Sequence, residues 1–156
     1  MCMQVNLSEN VIRSVTKTIY KPHVDLDLSH NRLRKLPPGR GKKPGIHSID
    51  ASYNELTSLP DRVDNLVCMT RLDLSHNKLG QLSVELGLTR YIRHLDLSHN
   101  TLTSIPDELC SLGHALDTLS VNNNRLTTLP TTVQLLQVSQ RHSTRRSTRT
   151  ISDGNN

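Results

Sequence analysis

The chain has 156 residues, a formal net charge of +5, 34% hydrophobic residues and neither Phe nor Trp. This length fits a single domain, and no apolar run is long enough to cross a membrane as a helix. The segment from Met1 to Tyr20 lacks the apolar core of a secretory signal peptide.

The N-terminal segment 5-VNLSENVIRSV-15 is a weak first copy of a sequence motif that recurs along most of the chain. Five stronger copies follow, and each carries an asparagine at the same offset: Asn31, Asn54, Asn77, Asn100 and Asn124. The first four are 23 residues apart, and the fifth follows after 24. A fixed period in this range predicts a stacked solenoid, in which each repeat packs only on its neighbours.

Each copy contains a short segment in which apolar and polar residues alternate, as in 70-TRLDLSHNKL-79. This alternation is the period of a β-strand. Stacked copies therefore predict a parallel sheet with one short strand per repeat. The predicted core-facing pairs are Leu26 and Leu28, Leu72 and Leu74, and Leu95 and Leu97.

The motif resembles the leucine-rich repeat, because apolar residues fall at the same offsets in all five copies. Its 23-residue length and Leu-Pro ending are similar to those of intracellular repeats in Ras-associated scaffold proteins. The resemblance covers roughly residues 2–138. It implies an α/β leucine-rich repeat solenoid, a curved horseshoe with a parallel β-sheet on the concave face. It also implies that the five asparagines are structural and hydrogen-bond the backbone of adjacent turns.

The return segments between strands differ in quality. Val63 and Leu66, and later Leu109 and Leu112, are three apart and are predicted to cover the core. The matching segment of the first full copy is 37-PPGRGKKPG-45, which predicts an exposed basic loop with Arg40, Lys42 and Lys43. His23 stands there in place of a leucine, which predicts irregular packing.

Four carboxylates line up between the core leucines, one per repeat: Asp27, Asp50, Asp73 and Asp96. In a water-like dielectric, each adjacent pair repels by somewhat under about 1 kcal/mol. One interpretation is an acidic stripe that recruits Lys or Arg side chains of a protein partner. The other is that Asp, Ser and His serve solubility and hydrogen bonding at the strand ends.

The candidate partner-binding residues all lie on the predicted concave face: Asp27, His30, Asp50, Tyr53, Arg71, Asp73, His76, His94, Asp96 and His99. Tyr53 is the aromatic residue of this set and the best single anchor. A neighbouring aspartate favours protonation of a histidine, so this face should become more positive below neutral pH. Only His76 and His99 are expected on adjacent strands, a poor zinc set, so no metal or cofactor is expected.

No GxSxG, phosphate-binding glycine loop or metal signature is present, so we expect no enzyme. The family resemblance favours a protein-interaction scaffold or adaptor in intracellular signalling. One rival is an adaptor to nucleic acid or anionic membrane through the basic loop and the tail. Two others are a truncated fragment without independent function and self-association through uncapped ends. Scattered cysteines favour the cytoplasm, with the nucleus as the alternative.

The C-terminal segment 139–156 is polar and basic and has no apolar period. It predicts a disordered tail after a solenoid of residues 1–138. Thr148 and Ser152 follow Arg145 and Arg149 at a three-residue offset. Basophilic kinases favour such arginine placement, so these two residues are candidate phosphorylation sites.

Overall fold

The computed structural model describes residues 3–21, 23–38, 46–60, 69–134 and 151–152. Within these ranges, seven short parallel strands form one open sheet in chain order. The strands are β1 (Met3–Asn6), β2 (Val24–Asp27), β3 (Ser48–Asp50), β4 (Arg71–Asp73), β5 (His94–Asp96), β6 (Thr118–Ser120) and β7 (Ile151–Ser152). The predicted fold class, a leucine-rich repeat solenoid with one strand per repeat, is confirmed.

The sheet keeps a single register along its length, so equivalent residues of successive repeats lie side by side. One apolar column runs through paired residues of neighbouring strands: Val5, Leu26, Ile49, Leu72, Leu95 and Leu119. Leu26 and Leu28 are at most 1% exposed, whereas Asp25 and Asp27, which alternate with them, are only partly covered. Alternation in the sequence thus becomes one buried face and one polar face.

Short helices cover the opposite side of the core. They are 3-10 helices at Lys17–Ile19, Val84–Leu88, Ser111–His114 and Thr131–Gln134, and one α-helical turn, α1, at Asp107–Cys110. Leu86, Leu109 and Leu112 are buried, which agrees with the covering role predicted for the last two. Val63, Leu66, Arg40, Lys42 and Lys43 lie outside the described residues.

The first full repeat is closed by a tyrosine. His23 is exposed and has a φ of 56°. Tyr20 is 7% exposed, and its hydroxyl donates to the Pro37 carbonyl at 3.0 Å. Burial raises the pKa of Tyr20 well above its usual value, so the hydroxyl stays protonated and remains a donor. Tyr20 is thus part of the buried core in the repeat where the pattern lacks a leucine.

The recurrent asparagines tie each repeat to the one before. The Asn77 side-chain amide donates to the carbonyls of Ala51, Leu74 and Ser75 at 3.0–3.1 Å. Its Oδ1 accepts from the Leu56 N–H at 2.9 Å. The same pattern recurs at Asn31, Asn54, Asn100 and Asn124.

The two ends of the sheet differ. At β1, an apolar groove of about 510 Å³ is lined by Met3, Val5, Val15, Ile19 and Val24, among others. At the other end, Ile151 and Ser152 pair with Leu119 and Ser120. These two residues form the short strand β7 within the segment predicted as a tail. The rest of segment 139–156 lies outside the described residues.

Candidate functional site

The polar side of the sheet carries the candidate residues in columns set by the strand register. Asp27, Asp50, Asp73 and Asp96 pair in succession and form the aspartate column. Arg71 and His94 lie on the same side, two residues before the last two of these aspartates. The common register thus brings the aspartates predicted from spacing together on one surface.

Each aspartate of the column also closes a turn at the end of its strand. The Asp50 Oδ1 atom accepts from the Ser52 N–H at 3.0 Å and from the Ser52 hydroxyl at 2.7 Å. Equivalent pairs form at Asp27, Asp73 and Asp96. Such side-chain turns are a common local use of Asp. One carboxylate oxygen therefore serves the fold, while Oδ2 takes no part in this turn and the carboxylate keeps its negative charge.

The aspartate column is crowded with like charge. Burial raises the pKa of Asp73 above its usual value, and the charges of Asp50 and Asp96 raise it further. Hydrogen bonds from Ser75 oppose this shift. Within the described ranges, Asp73 alone of the four has an ion pair, with the Arg71 guanidinium 3.8 Å from its Oδ2. The column therefore keeps an unbalanced negative charge.

A second column consists of stacked rings, which we call the ring column: His30, Tyr53, His76 and His99. Successive ring centroids are 4.3, 4.0 and 4.0 Å apart, and the planes are within 10° of parallel. All four residues have a φ of 51–53°, so each repeat projects its ring at the same angle. The Asn123 Nδ2 atom lies 3.0 Å from His99 Nε2 and continues the column.

The sequence placed these four residues in one column but did not predict the stacking. The detectable signal is a ring-bearing residue directly before the asparagine in four successive in-register repeats. The aspartates were expected to favour protonation of the histidines, but at His76 other causes outweigh them and the pKa is lowered. Burial is the main cause, and the charges of His99 and His30 add to it, while Asp96 and Asp73 oppose it.

A polar cluster at the first strands was not among the predicted site residues. The Ser48 hydroxyl donates to Asp25 Oδ1 at 2.7 Å, and His47 Nδ1 lies 3.0 Å from the same oxygen. The Ser48 hydrogen bond is the main cause that lowers the pKa of Asp25, and His47 contributes. Farther along the sheet, between β5 and β6, His94 Nδ1 lies 2.9 Å from the Thr118 hydroxyl.

Two shallow depressions follow the aspartate column, and Arg71 borders both. The larger, of about 220 Å³, is lined in part by Asp25, Asp27, Ser48 and Asp50. The smaller, of about 80 Å³, is lined in part by Asp73, His94, Asp96 and Thr118. We call the surface formed by the aspartate column, the ring column, Arg71 and His94 the sheet face. Its form suits an extended ligand better than an enclosed small molecule.

Some chemical features stand apart from the sheet face. Cys110 is buried in α1, and burial raises the pKa of its thiol, which disfavours the reactive thiolate. Across the described ranges, no group of three His, Cys, Asp or Glu residues is placed to hold a metal ion.

No helix among the described residues is long and apolar enough to cross a membrane. Thr148 lies outside the described residues, and Ser152 lies in β7.

Comparison with known proteins identifies two matching families. Both are described as leucine rich repeat, at residues 24–79 and 91–112, and together they span half of the chain. No curated protein matches. Among solved structures, the plant peptide hormone receptor RGFR1 in complex with RGF2 is similar, with a TM-score of 0.60 and 25% identity. The alignment covers 86% of this chain and 26% of the receptor chain.

Proposed function

The chain belongs to the leucine-rich repeat family, and from this premise we propose that it is a non-enzymatic adaptor whose sheet face binds a protein partner. Repeat proteins of this kind offer an extended surface built from equivalent positions of successive repeats. The similar plant receptor was solved as a complex, which supports a binding role for the shared architecture.

The aspartate column carries this proposal. Four in-register carboxylates face one side, and the only basic side chain paired with them in the described ranges is that of Arg71. An extended segment with Lys or Arg side chains relieves the mutual repulsion and gains orientation from the regular spacing. The adjacent ring column offers apolar contact, since Tyr53 is 46% exposed. The preferred partner is therefore a basic, extended protein segment.

The test is an affinity pull-down with the full chain and a triple variant, Asp50→Asn, Asp73→Asn and Asp96→Asn. Asparagine removes the charge and keeps the Oδ1 acceptor that closes each turn. The matched control replaces Asp107, Glu108 and Asp117 by their amides, which removes the same charge away from the aspartate column. Loss of partners in the first variant alone supports the proposal. Retention of the same partners by both variants contradicts it.

We place this adaptor in the cytoplasm, or alternatively the nucleus, with a role in signalling. The supporting observation is that Cys110 is a free, buried thiol, as is common in reducing compartments. Localisation of the tagged full chain tests this assignment, and recovery in the secreted fraction with oxidised cysteines contradicts it.

A second candidate function, self-association, is favoured by the apolar groove beside β1. Met3 is 58% exposed there, and β1 has a strand on only one side. A second copy of the chain matches this groove, because two such ends bury apolar surface against each other. Sedimentation velocity over a wide concentration range tests it: Met3→Lys should abolish any dimer, and a dimer that persists contradicts the assignment.

A further inference from the structure

The last strand of the sheet comes from a distant part of the chain. β6 ends at Ser120, and β7 begins at Ile151, yet the two strands are parallel neighbours. Every earlier strand pair joins successive repeats about 23 residues apart. The segment at Ile151–Ser152 therefore occupies the position that a further repeat would take.

The register of β7 agrees with the pattern of the sheet. Ile151 pairs with Leu119 and so falls in the column of Leu26, Ile49, Leu72 and Leu95. Ser152 pairs with Ser120, in the column of the aspartates. Ile151 is the only residue in segment 139–156 with a hydrophobic side chain (Ala, Val, Ile, Leu, Met, Phe, Trp, Tyr or Cys). The one residue of this segment that suits the apolar column thus lies in its register.

The last repeat needs a neighbour. With β7 beside β6, Leu119 and Val121 of this repeat are at most 4% exposed, whereas Leu129, farther along the same repeat, is 50% exposed and its equivalents Leu36, Leu59 and Ile105 are at most 9% exposed. An open strand edge also presents unpaired backbone groups that pair readily with other chains. A strand beside β6 satisfies these groups and shields the end of the apolar column.

We propose that the edge of β6 opposite β5 is a strand-docking site and that its occupant is the chain's own Ile151–Ser152 segment. Docking in parallel register closes this end of the solenoid. It also keeps the β6 edge from pairing with β1 of a second copy, which would extend the sheet from molecule to molecule.

The first test traps the docked strand by a disulfide. Ser120→Cys and Ser152→Cys are introduced after Cys2, Cys68 and Cys110 have been replaced by Ala. Paired residues on neighbouring strands are about 4.8 Å apart, within the range of about 4.4–6.8 Å between Cα atoms of a disulfide. The control is Asp50→Cys with Ser152→Cys, in the same column but four strands apart, about 19 Å.

Oxidation in dilute solution should link residues 120 and 152 within one molecule, and the control pair should remain reduced. Equal linkage of the two pairs contradicts the proposal, because it indicates a tail without a preferred position. Linkage only between molecules also contradicts it, because the occupant would then be a second copy.

A second test needs no engineered cysteine. In the interior, the Leu97 N–H donates to the Ser120 carbonyl of the next strand at 2.8 Å. Val121 holds the same position in the last repeat, so its amide exchange reports whether a strand lies beside β6. Ile151→Lys should remove most of this protection, while Ile151→Val, a strand-forming control, should keep it. Equal protection in both variants contradicts docking.

Discussion

Polar residues in this chain have either a structural role or a surface role, and the aspartates combine both. The aspartates close turns through Oδ1 and still give the surface a negative charge, and at Asp73 the Oδ2 atom faces Arg71 at 3.8 Å. The asparagines have a different environment: Asn77 is 8% exposed and all its side-chain polar atoms are hydrogen-bonded. Substitutions can therefore test structure and charge independently at these positions.

We expect Asn77→Ala to lower the free energy of unfolding by about 3 kcal/mol or more, because several buried backbone groups lose their partners. Urea denaturation of the full chain measures this loss. Asn10→Ala is the matched control, since Asn10 is exposed and, among the described residues, its side chain donates only to the nearby Leu7 and Ser8 carbonyls. Equal losses for the two variants would mean that the column does not join the repeats.

We expect Asp73→Asn to raise the free energy of unfolding at neutral pH by up to about 1 kcal/mol. The pKa of Asp73 is raised in the folded state, so its contribution to stability is present below the unfolded pKa and is lost as pH rises through the folded pKa. The gain should vanish in acid, where both states are protonated. The loss of the ion pair with the exposed Arg71 should reduce this gain in the free energy of unfolding only slightly.

Asp25→Asn is the control of opposite sign. The pKa of Asp25 is lowered in the folded state, so its ionised form stabilises the fold above the unfolded pKa, and this is lost as pH falls. The variant should therefore be less stable than the parent at neutral pH. Chemical denaturation across acid and neutral pH measures both variants, and shifts of the same sign would refute this electrostatic interpretation.

Among the elements, the strands were predictable from sequence because alternation and period act over several residues in every repeat. The ring column was only partly predictable, since its spacing is visible but its stacking requires positive φ at His30, Tyr53, His76 and His99. β7 was not predictable, because a two-residue strand in a polar segment has no periodic signal. Its pairing depends on the distant β6.

The ring column predicts a pH response. Since the pKa of His76 is lowered in the folded state, the unfolded chain takes up this proton first as pH falls below about 6.5. Stability should therefore decrease on acidification through this window. His76→Phe keeps a ring in the stack and should reduce the decrease. Identical stability profiles between pH about 5 and 8 for parent and variant would show that His76 contributes nothing.

Packing between the return segments depends on one glycine. A Cβ on Gly87 would collide with the Glu108 backbone of α1, whereas a Cβ on Gly80 would meet no atom within 4 Å. We expect Gly87→Ala to cost about 1–3 kcal/mol and Gly80→Ala to change stability by less than about 1 kcal/mol. Thermal or urea unfolding distinguishes them. A neutral Gly87→Ala would mean that these segments are not in close contact.

The described part of the molecule is a short solenoid with a parallel sheet and one polar face. One end of the sheet has an apolar groove at β1, and the other end is the strand β7. The solenoid's stability comes from interfaces between neighbouring repeats, while its charge accumulates along a line that crosses them. A partner that follows this line contacts several repeats at once. The sequence alone predicted the column of aspartates. It did not predict that one oxygen of each carboxylate accepts hydrogen bonds within a turn, because those bonds depend on local backbone geometry.

The most direct measurement is selection of a displayed library of random peptides on the full chain. We predict that the parent enriches peptides with Lys or Arg residues in extended sequences. The Asp50, Asp73 and Asp96 to Asn variant should lose this enrichment, and the Asp107, Glu108 and Asp117 amide control should keep it. Selection without a basic bias, or the same peptides on both variants, would contradict the sheet face as the binding surface.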